Sequence, residues 1–232
     1  MDIRGKVVLV TGANRGLGKA FVTALLEAGA AKVYAGARNP ASVDIPGSTP
    51  VALDITDAAS VQHAAQQCSD ASVVINNAGF LKYGSLLAAD SVENLQQHFD
   101  VNTFGTLRVS RAFAPILARN GGGALINVLS VLSWLSPPGA GGYSTSKSAQ
   151  WGLTNGLRGE LREQGTLVIG VHPAYIDTDM VADVQAPKST PQEVVALTLQ
   201  ALAEDREEVL VSDTSHGVKA SLSSDSPVYL NH

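Results

Sequence analysis

The sequence holds a single cysteine, Cys68, in 232 residues, so no intramolecular disulfide framework can form and nothing calls for an oxidising compartment. No uninterrupted apolar run reaches the roughly 18 residues that a membrane-spanning helix needs. The opening MDIRGKVVLV passes into a strand pattern without the basic, apolar and small-residue regions of a secretory signal. A cytoplasmic location is the expectation. Charged residues make up 16% of the chain and the net charge is -5, which provides no basic surface for nucleic acid or acidic lipid. Neither nucleic acid nor membrane is expected as a partner. The histidines, His63, His98, His172, His216 and His232, fall into no metal-ligand spacing, and no metal is expected. A Gly-x-Ser-x-Gly elbow is missing as well, which speaks against a serine hydrolase.

What is present is enough apolar content, 45%, to fill the core of one large α/β domain. Short β-branched runs at 6–11, 32–36, 50–54, 72–76, 124–128 and 167–172 read as buried strands. Between them, 17–28, 58–68, 91–119 and 143–164 carry helix formers with apolar spacing near 3.6. A further helix at 191–203 precedes a short strand at 208–211. This alternation predicts a single-domain Rossmann fold, a doubly wound, seven-stranded parallel sheet with helices on both faces. That domain spans 1–212. Residues 213–232, rich in Ser and Asp, form a C-terminal tail of the same domain with no element assigned to it.

Directly after the first strand comes Thr11-Gly12-Ala13-Asn14-Arg15-Gly16-Leu17-Gly18, opening a helix. Glycines there permit a tight turn and close approach of backbone to a pyrophosphate, which the free N–H groups of the new helix then bind. Leu17 stands where a nucleotide triphosphate loop opening at Gly12 needs its second glycine, so a kinase or ATPase is disfavoured. At the end of the second strand a NAD-selective site would carry an acid; the chain reads Ala35-Gly36-Ala37-Arg38. A guanidinium cannot accept from a ribose 2'-hydroxyl but matches a 2'-phosphate. Arg15 adds a second cation, and NADP(H) is favoured over NAD.

Tyr143-Ser144-Thr145-Ser146-Lys147 opens a later helix. Residues four apart share one face, roughly 6 Å along the axis, so the ammonium should lie beside the phenol and lower its pKa toward neutrality. Ser130, thirteen positions earlier at the carboxyl edge of a strand, can hydrogen-bond a substrate oxygen as it gains charge.

In order and spacing, the glycine turn, Asp54 with Ile55, the run Asn76-Asn77-Ala78-Gly79, Asn102, Ser130, and Tyr143 with Lys147 resemble the short-chain dehydrogenase/reductase family from about 6 to 211. The resemblance implies that Tyr143 donates a proton to a carbonyl oxygen and Ser130 polarises that carbonyl. Lys147 would bind the nicotinamide ribose, and Asn102 would hold the water linking Lys147 to solvent. It also implies cofactor contacts by Gly12, Asn14, Gly16, Leu17, Gly18, Asp54, Ile55, Asn77, Ala78 and Gly79, and by Pro173, Ile176 and Thr178 in the loop after the sixth strand. That loop reads Pro173-Ala174 where the family has Pro-Gly, a change that could shift it if the family's glycine backbone were required.

Candidate pocket residues are Phe80, Leu81, Leu132, Trp134, Leu135, Tyr175 and Met180, nearly all apolar or aromatic, so the expected substrate is a small hydrophobic or aromatic ketone or aldehyde, reduced reversibly to the alcohol. Only about ten residues separate Met180 from the helix near Pro191, a short lid that suggests an open site. A homodimer or homotetramer is implied by the resemblance. An alternative is a catalytically silent NADP-sensing or interaction protein on the same scaffold, against which the retained Ser130, Tyr143, Lys147 and Asn102 weigh.

Overall fold

The computed structural model describes residues 1–230; His232, one of the histidines weighed above, lies outside them. Seven strands, β1 (Val7–Thr11), β2 (Lys32–Ala37), β3 (Thr49–Ala52), β4 (Val73–Asn76), β5 (Ala124–Val128), β6 (Leu167–His172) and β7 (Glu208–Leu210), form one parallel sheet in the order β3-β2-β1-β4-β5-β6-β7. The chain winds outward from β1 to β3, then crosses back to place β4 beside β1. That reversal opens a crevice beyond the carboxyl ends of β1 and β4.

Strand residues alternate between two cores, as the pleat requires. Val8, Val10, Ile126 and Ile169 pack with Phe21 and Leu25 of α1 (Gly16–Glu27) and with Val194 and Leu202 of α6 (Pro191–Ala203). Leu9, Val74 and Leu125 turn to the other face, toward Val61 of α2 (Ala58–Gln67), and the same core takes in Phe113 and Leu117 from farther along the chain and Leu157 of the helix after β5. Helix α6 opens with a reciprocal Thr190–Glu193 capping box and Pro191 in its first turn, which supplies acceptors for amides that the helix itself cannot bond.

The helix expected over 91–119 comes in three parts: α3 (Ser91–His98), a π-helical stretch Phe99–Gly105, and α4 (Thr106–Arg119). A widened turn of this kind is a common device at functional sites, and here it contains Asn102. Gly105 closes it where a Cβ would fall 2.6 Å from Ile55 Cδ1. The helix at Tyr143 begins two residues earlier than expected, as α5 (Gly141–Leu161). The third strand ends at Ala52 rather than 54.

The segment left unassigned from sequence contains α7 (Asp213–Ser221), capped by Ser212. Its Ser215 hydroxyl donates to the His172 carbonyl at 2.7 Å, and its Val218 joins Val131 and Trp134 in a third apolar cluster. No helix among the described residues is long and apolar enough to cross a membrane.

Candidate active site

The crevice at the β1–β4 boundary is lined by the glycine turn. Gly12 and Gly16 hold left-handed backbone, with φ of +63° and +52°, a region costly for side chains. Gly18 needs to be glycine for space: a Cβ there would fall 2.1 Å from the Gly12 carbonyl oxygen and 2.6 Å from Asn77 Nδ2. Asn77 staples the turn to β4, its Nδ2 donating to the carbonyls of Thr11 at 2.9 Å and Gly12 at 3.1 Å. The Thr11 hydroxyl accepts from the amides of Asn77 and Ala78, both at 3.0 Å. Helix α1 starts at Gly16 with no side-chain cap among the described residues, which leaves its first-turn amides for an anion. Leu17 packs into the first core, so its backbone is the part available to a ligand.

Around this cradle, Asn14 Nδ2 donates to Ser42 Oγ at 3.2 Å, and Arg38 follows β2 directly with its side chain exposed. Arg15 is exposed too, 3.9 Å from the equally exposed Asp179, a pairing too solvated to fix it. The Asp54 carboxylate accepts from the Thr56 amide at 2.9 Å and the Thr56 hydroxyl at 2.7 Å. Partial burial works to raise its pKa, but the Thr56 hydrogen bonds and the charges of Arg38 and Arg108 outweigh it and hold the group below the usual carboxylate range. The Ile55 side chain lies in the second core against Gly105, so its backbone is the part available to a cofactor.

The loop after β6 closes the other side. The Pro173 carbonyl accepts from the Val131 amide at 2.8 Å, Ile176 bridges to Ser189, and Thr178 sits where its Cγ2 would be 3.3 Å from a Cβ on Gly16. Ala174 keeps ordinary backbone, since Asp205 is the one described non-glycine residue with positive φ. The Pro-Ala departure therefore introduces no strain.

Ser130, Tyr143, Lys147 and Asn102 gather at the carboxyl end of β5. Ser130 caps a short 3-10 turn, Val131–Ser133, accepting from the Leu132 amide at 3.1 Å. Lys147 is 3% exposed and its Nζ lies 5.7 Å from the centre of the Tyr143 ring. That ammonium donates to the Val128 carbonyl and to Gln150 Oε1, each at 2.8 Å. Asn102, fully buried, clasps Phe80, donating to its carbonyl at 2.9 Å and accepting from its amide at 2.8 Å. It also donates to Ser146 Oγ at 2.9 Å.

The expected lowering of the Tyr143 pKa by Lys147 is overturned in the protein alone. Burial pushes the phenol up to about 12, with the facing Ser130 hydroxyl pulling down and Tyr83 adding to the rise. Burial also drives Lys147 down to about 7: desolvation disfavours both charged forms and exceeds the effect of one cation a turn away.

Of the expected pocket residues, Phe80 and Leu81 are half-buried, and Tyr175 and Met180 are exposed at the mouth. Trp134 is not a pocket residue. It is buried between His172 and Trp151, and Leu132 and Leu135 pack in the same cluster, because α7 covers a face that a structureless tail would have left open. Sequence reasoning missed Tyr83, which adds to the rise of the Tyr143 pKa and whose own pKa is raised by partial burial and then by Tyr175. It also missed Gln150 and Thr106, although 147, 150 and 154 are polar positions sharing one helix face. His98, fully buried in α3, was set aside as a metal ligand; its Nδ1 meets the Asn94 carbonyl at 2.8 Å and its Nε2 accepts from the Lys82 amide at 3.1 Å, which shapes the loop after Phe80.

A model of the short chain dehydrogenase family matches residues 6–189. The chain belongs to that family. It is 35% identical over 199 residues to the short chain dehydrogenase pigC of Monascus ruber, a match covering 78% of this chain and 65%, less than two thirds, of that relative's length. It is 33% identical over 227 residues to 1-deoxy-11-beta-hydroxypentalenate dehydrogenase of Streptomyces exfoliatus, covering 89% and 82% of the two. A crystal structure of a short chain dehydrogenase from Burkholderia cenocepacia J2315 in complex with NADP superposes with a TM-score of 0.93, at 41% identity over 97% of this chain and 95% of that one.

Proposed function

We propose that this short-chain dehydrogenase is an NADP(H)-dependent oxidoreductase that reduces a small hydrophobic or aromatic ketone or aldehyde to the alcohol. The observation that carries the reading is the convergence of Ser130, Tyr143 and buried Lys147 at the carboxyl edge of β5, one strand from the glycine cradle. The cradle fits a dinucleotide: Gly12 and Gly16 present backbone with no side chain, and a Cβ on Gly18 would displace the Gly12 carbonyl that Asn77 holds. Gly12, Asn14, Arg15, Gly16, Leu17 and Gly18 would meet the pyrophosphate, Arg38 the 2'-phosphate and Asp54 the adenine, with Asn77, Ala78, Gly79, Pro173, Ile176 and Thr178 along the rest. NADP agrees with the cation after β2 and with the ligand of the Burkholderia structure.

When bound, the cofactor supplies a hydride. The protein's own part is proton supply and charge stabilisation. With its pKa raised to about 12, Tyr143 holds its proton throughout the neutral range and serves as the acid for the carbonyl oxygen. Ser130 donates a hydrogen bond to the same oxygen as negative charge builds there. Lys147 has three N–H groups and gives two to Val128 and Gln150, which leaves one for the ribose. Phe80, Leu81, Tyr83, Tyr175 and Met180 offer apolar and aromatic surface, and Lys82, the one cation in that loop, is paired with Asp90 at 3.1 Å, so a hydrophobic carbonyl suits the site better than an acid. The reading extends to a homodimer or homotetramer paired through the helical run 91–119 and α5, where Phe104 of the π-helical stretch and Leu107 of α4 are exposed.

A panel of aryl and alkyl carbonyls assayed in parallel with NADPH and NADH tests the proposal. Turnover should require Tyr143, and a marked NADPH preference should be abolished by Arg38→Asp. Undiminished turnover by Tyr143→Phe would overturn the chemistry, and indifference to Arg38→Asp would overturn the cofactor assignment.

A further inference from the structure

Lys147 sits at one end of a chain of buried polar groups. Gln150, one turn further along α5 and fully buried, accepts from Lys147 Nζ at 2.8 Å and donates from Nε2 to Thr106 Oγ1 at 2.8 Å. The Thr106 hydroxyl donates to the Asn102 carbonyl at 2.9 Å, inside the π-helical stretch. The direction of every bond follows from the first. An ammonium only donates, so Gln150 must present its oxygen to Lys147 and its NH2 to Thr106, whose single proton then goes to Asn102. Each hydrogen bond polarises the next, and the Gln150 oxygen is held at the ammonium from two helices.

We propose that Gln150 is a positioning residue for Lys147: clamped through Thr106 to the carbonyl of Asn102, it fixes the ammonium against Val128 and stabilises its charged form. The inference rests on the functional reading above for its catalytic consequence, but the charge relationship belongs to the protein alone. The groups facing Lys147 are few. Tyr143 lies on its own helix, with its ring centre 5.7 Å away. From β6 comes His172, kept neutral by burial, which pushes its imidazole to about 3. β5 offers the Val128 carbonyl, the turn after it Ser130, and α4 the Thr106 hydroxyl. Burial lowers the Lys147 pKa, and the neutral acceptors in contact with its ammonium in place of water are the Val128 carbonyl and the Gln150 oxygen, which favour the charged form.

The test is an NMR titration of the full-length, cofactor-free protein labelled at lysine 13Cε, comparing wild type with Gln150→Leu and Gln150→Glu. Removal of the acceptor in Gln150→Leu should lower the Lys147 pKa, and the carboxylate of Gln150→Glu should raise it, each by about one unit or more. In turnover assays the alkaline limb of kcat/KM should move in the same two directions, with about a tenfold loss for Gln150→Leu on the alkaline side and recovery in Gln150→Glu. A purely structural role would lower stability or rate at all pH values and leave the titration and the limb in place, and that result overturns the inference. If Gln150→Leu does not fold, the direction of the Gln150→Glu shift decides alone. A Tyr143→Phe variant separates the failures: loss of its turnover with unmoved Gln150 titrations sinks the Gln150 role only, whereas retained turnover sinks the reading of the site.

Discussion

Trp134 lies flat on His172, ring centroids 4.0 Å apart and planes 16° from parallel. The imidazole is fully buried, with Nδ1 3.3 Å from the carbonyl of Ser130, so the stack forms the floor beneath the candidate catalytic serine. Burial pushes the His172 pKa down to about 3, the Ser130 carbonyl opposing and the charges of Lys219, Arg158 and Lys147 reinforcing.

An acid-sensitivity follows from that burial. The unfolded chain binds a proton at His172 below about pH 6.5, while the folded protein refuses it until about 3. Between those values the unfolded state holds more protons, so stability falls as pH falls. His172→Phe preserves the stack and removes the titration. Urea unfolding at pH 7, 6, 5 and 4 should show wild type losing up to about 1.4 kcal/mol per pH unit more than the variant within that window. Parallel curves would mean the imidazole takes its proton in the folded state.

Two glycines on helices should respond oppositely to alanine. At Gly18 a Cβ meets the Gly12 carbonyl and Asn77, so Gly18→Ala should cost about 1–3 kcal/mol and weaken NADPH binding at least tenfold, read by thermal melts and fluorescence titration. Gly217, inside α7, faces open space, and Gly217→Ala should stabilise by about 0.5–1 kcal/mol with binding unchanged. A Gly18→Ala protein that melts and binds like wild type would mean the cradle is looser than its geometry.

The buried amide of Asn102 supports the loop that carries Phe80. Asn102→Ala leaves the amide and carbonyl of Phe80 without the partners they have now, while the Ser146 hydroxyl keeps its bond to the Tyr143 carbonyl. Unsatisfied buried groups cost about 1–3 kcal/mol each, so the melting temperature should fall by roughly 5–10 °C, and amide exchange at Phe80 should accelerate. Protection at Phe80 equal to wild type would show that the loop is held from elsewhere.

The sheet was legible because its inner strands are short apolar runs, buried on both faces, each followed by a helical period; only the ends drifted, as at the edge strand Thr49–Ala52. Glycine turn, Ser130, Tyr143 and Lys147 could be read because spacing along a strand or helix translates directly into neighbourhood. What could not be read depends on contacts distant in sequence. Trp134 looked like pocket lining until α7, more than seventy residues later, proved to cover it. The widened helical stretch at Asn102 packs against Phe80 and Ile55, partners that no local pattern announces. The direction of the Tyr143 shift turned on how deeply the pair is buried, and that is a property of the fold rather than of a four-residue spacing.

Lys147 gives the last prediction. Its ammonium is stripped of water, which lowers its pKa from 10.5 to about 7, while in the unfolded chain it stays protonated until about 10.4. Between about pH 7 and 10.4 the unfolded state therefore carries the extra proton, and stability rises with pH; below 7 the full cost of the buried charge is present. Lys147→Met removes the titrating group but leaves the Val128 carbonyl and the Gln150 oxygen without their donor, at about 1–3 kcal/mol each. The sign of the difference at neutral pH depends on that balance, whereas its pH dependence does not. Relative to Lys147→Met, wild type should gain stability by up to about 1.4 kcal/mol per pH unit from pH 7.5 to 9.5, measured by urea unfolding in buffers of constant ionic strength. A difference that stays flat across this range would mean that the ammonium remains charged in the fold, stabilised more strongly than its neutral partners allow.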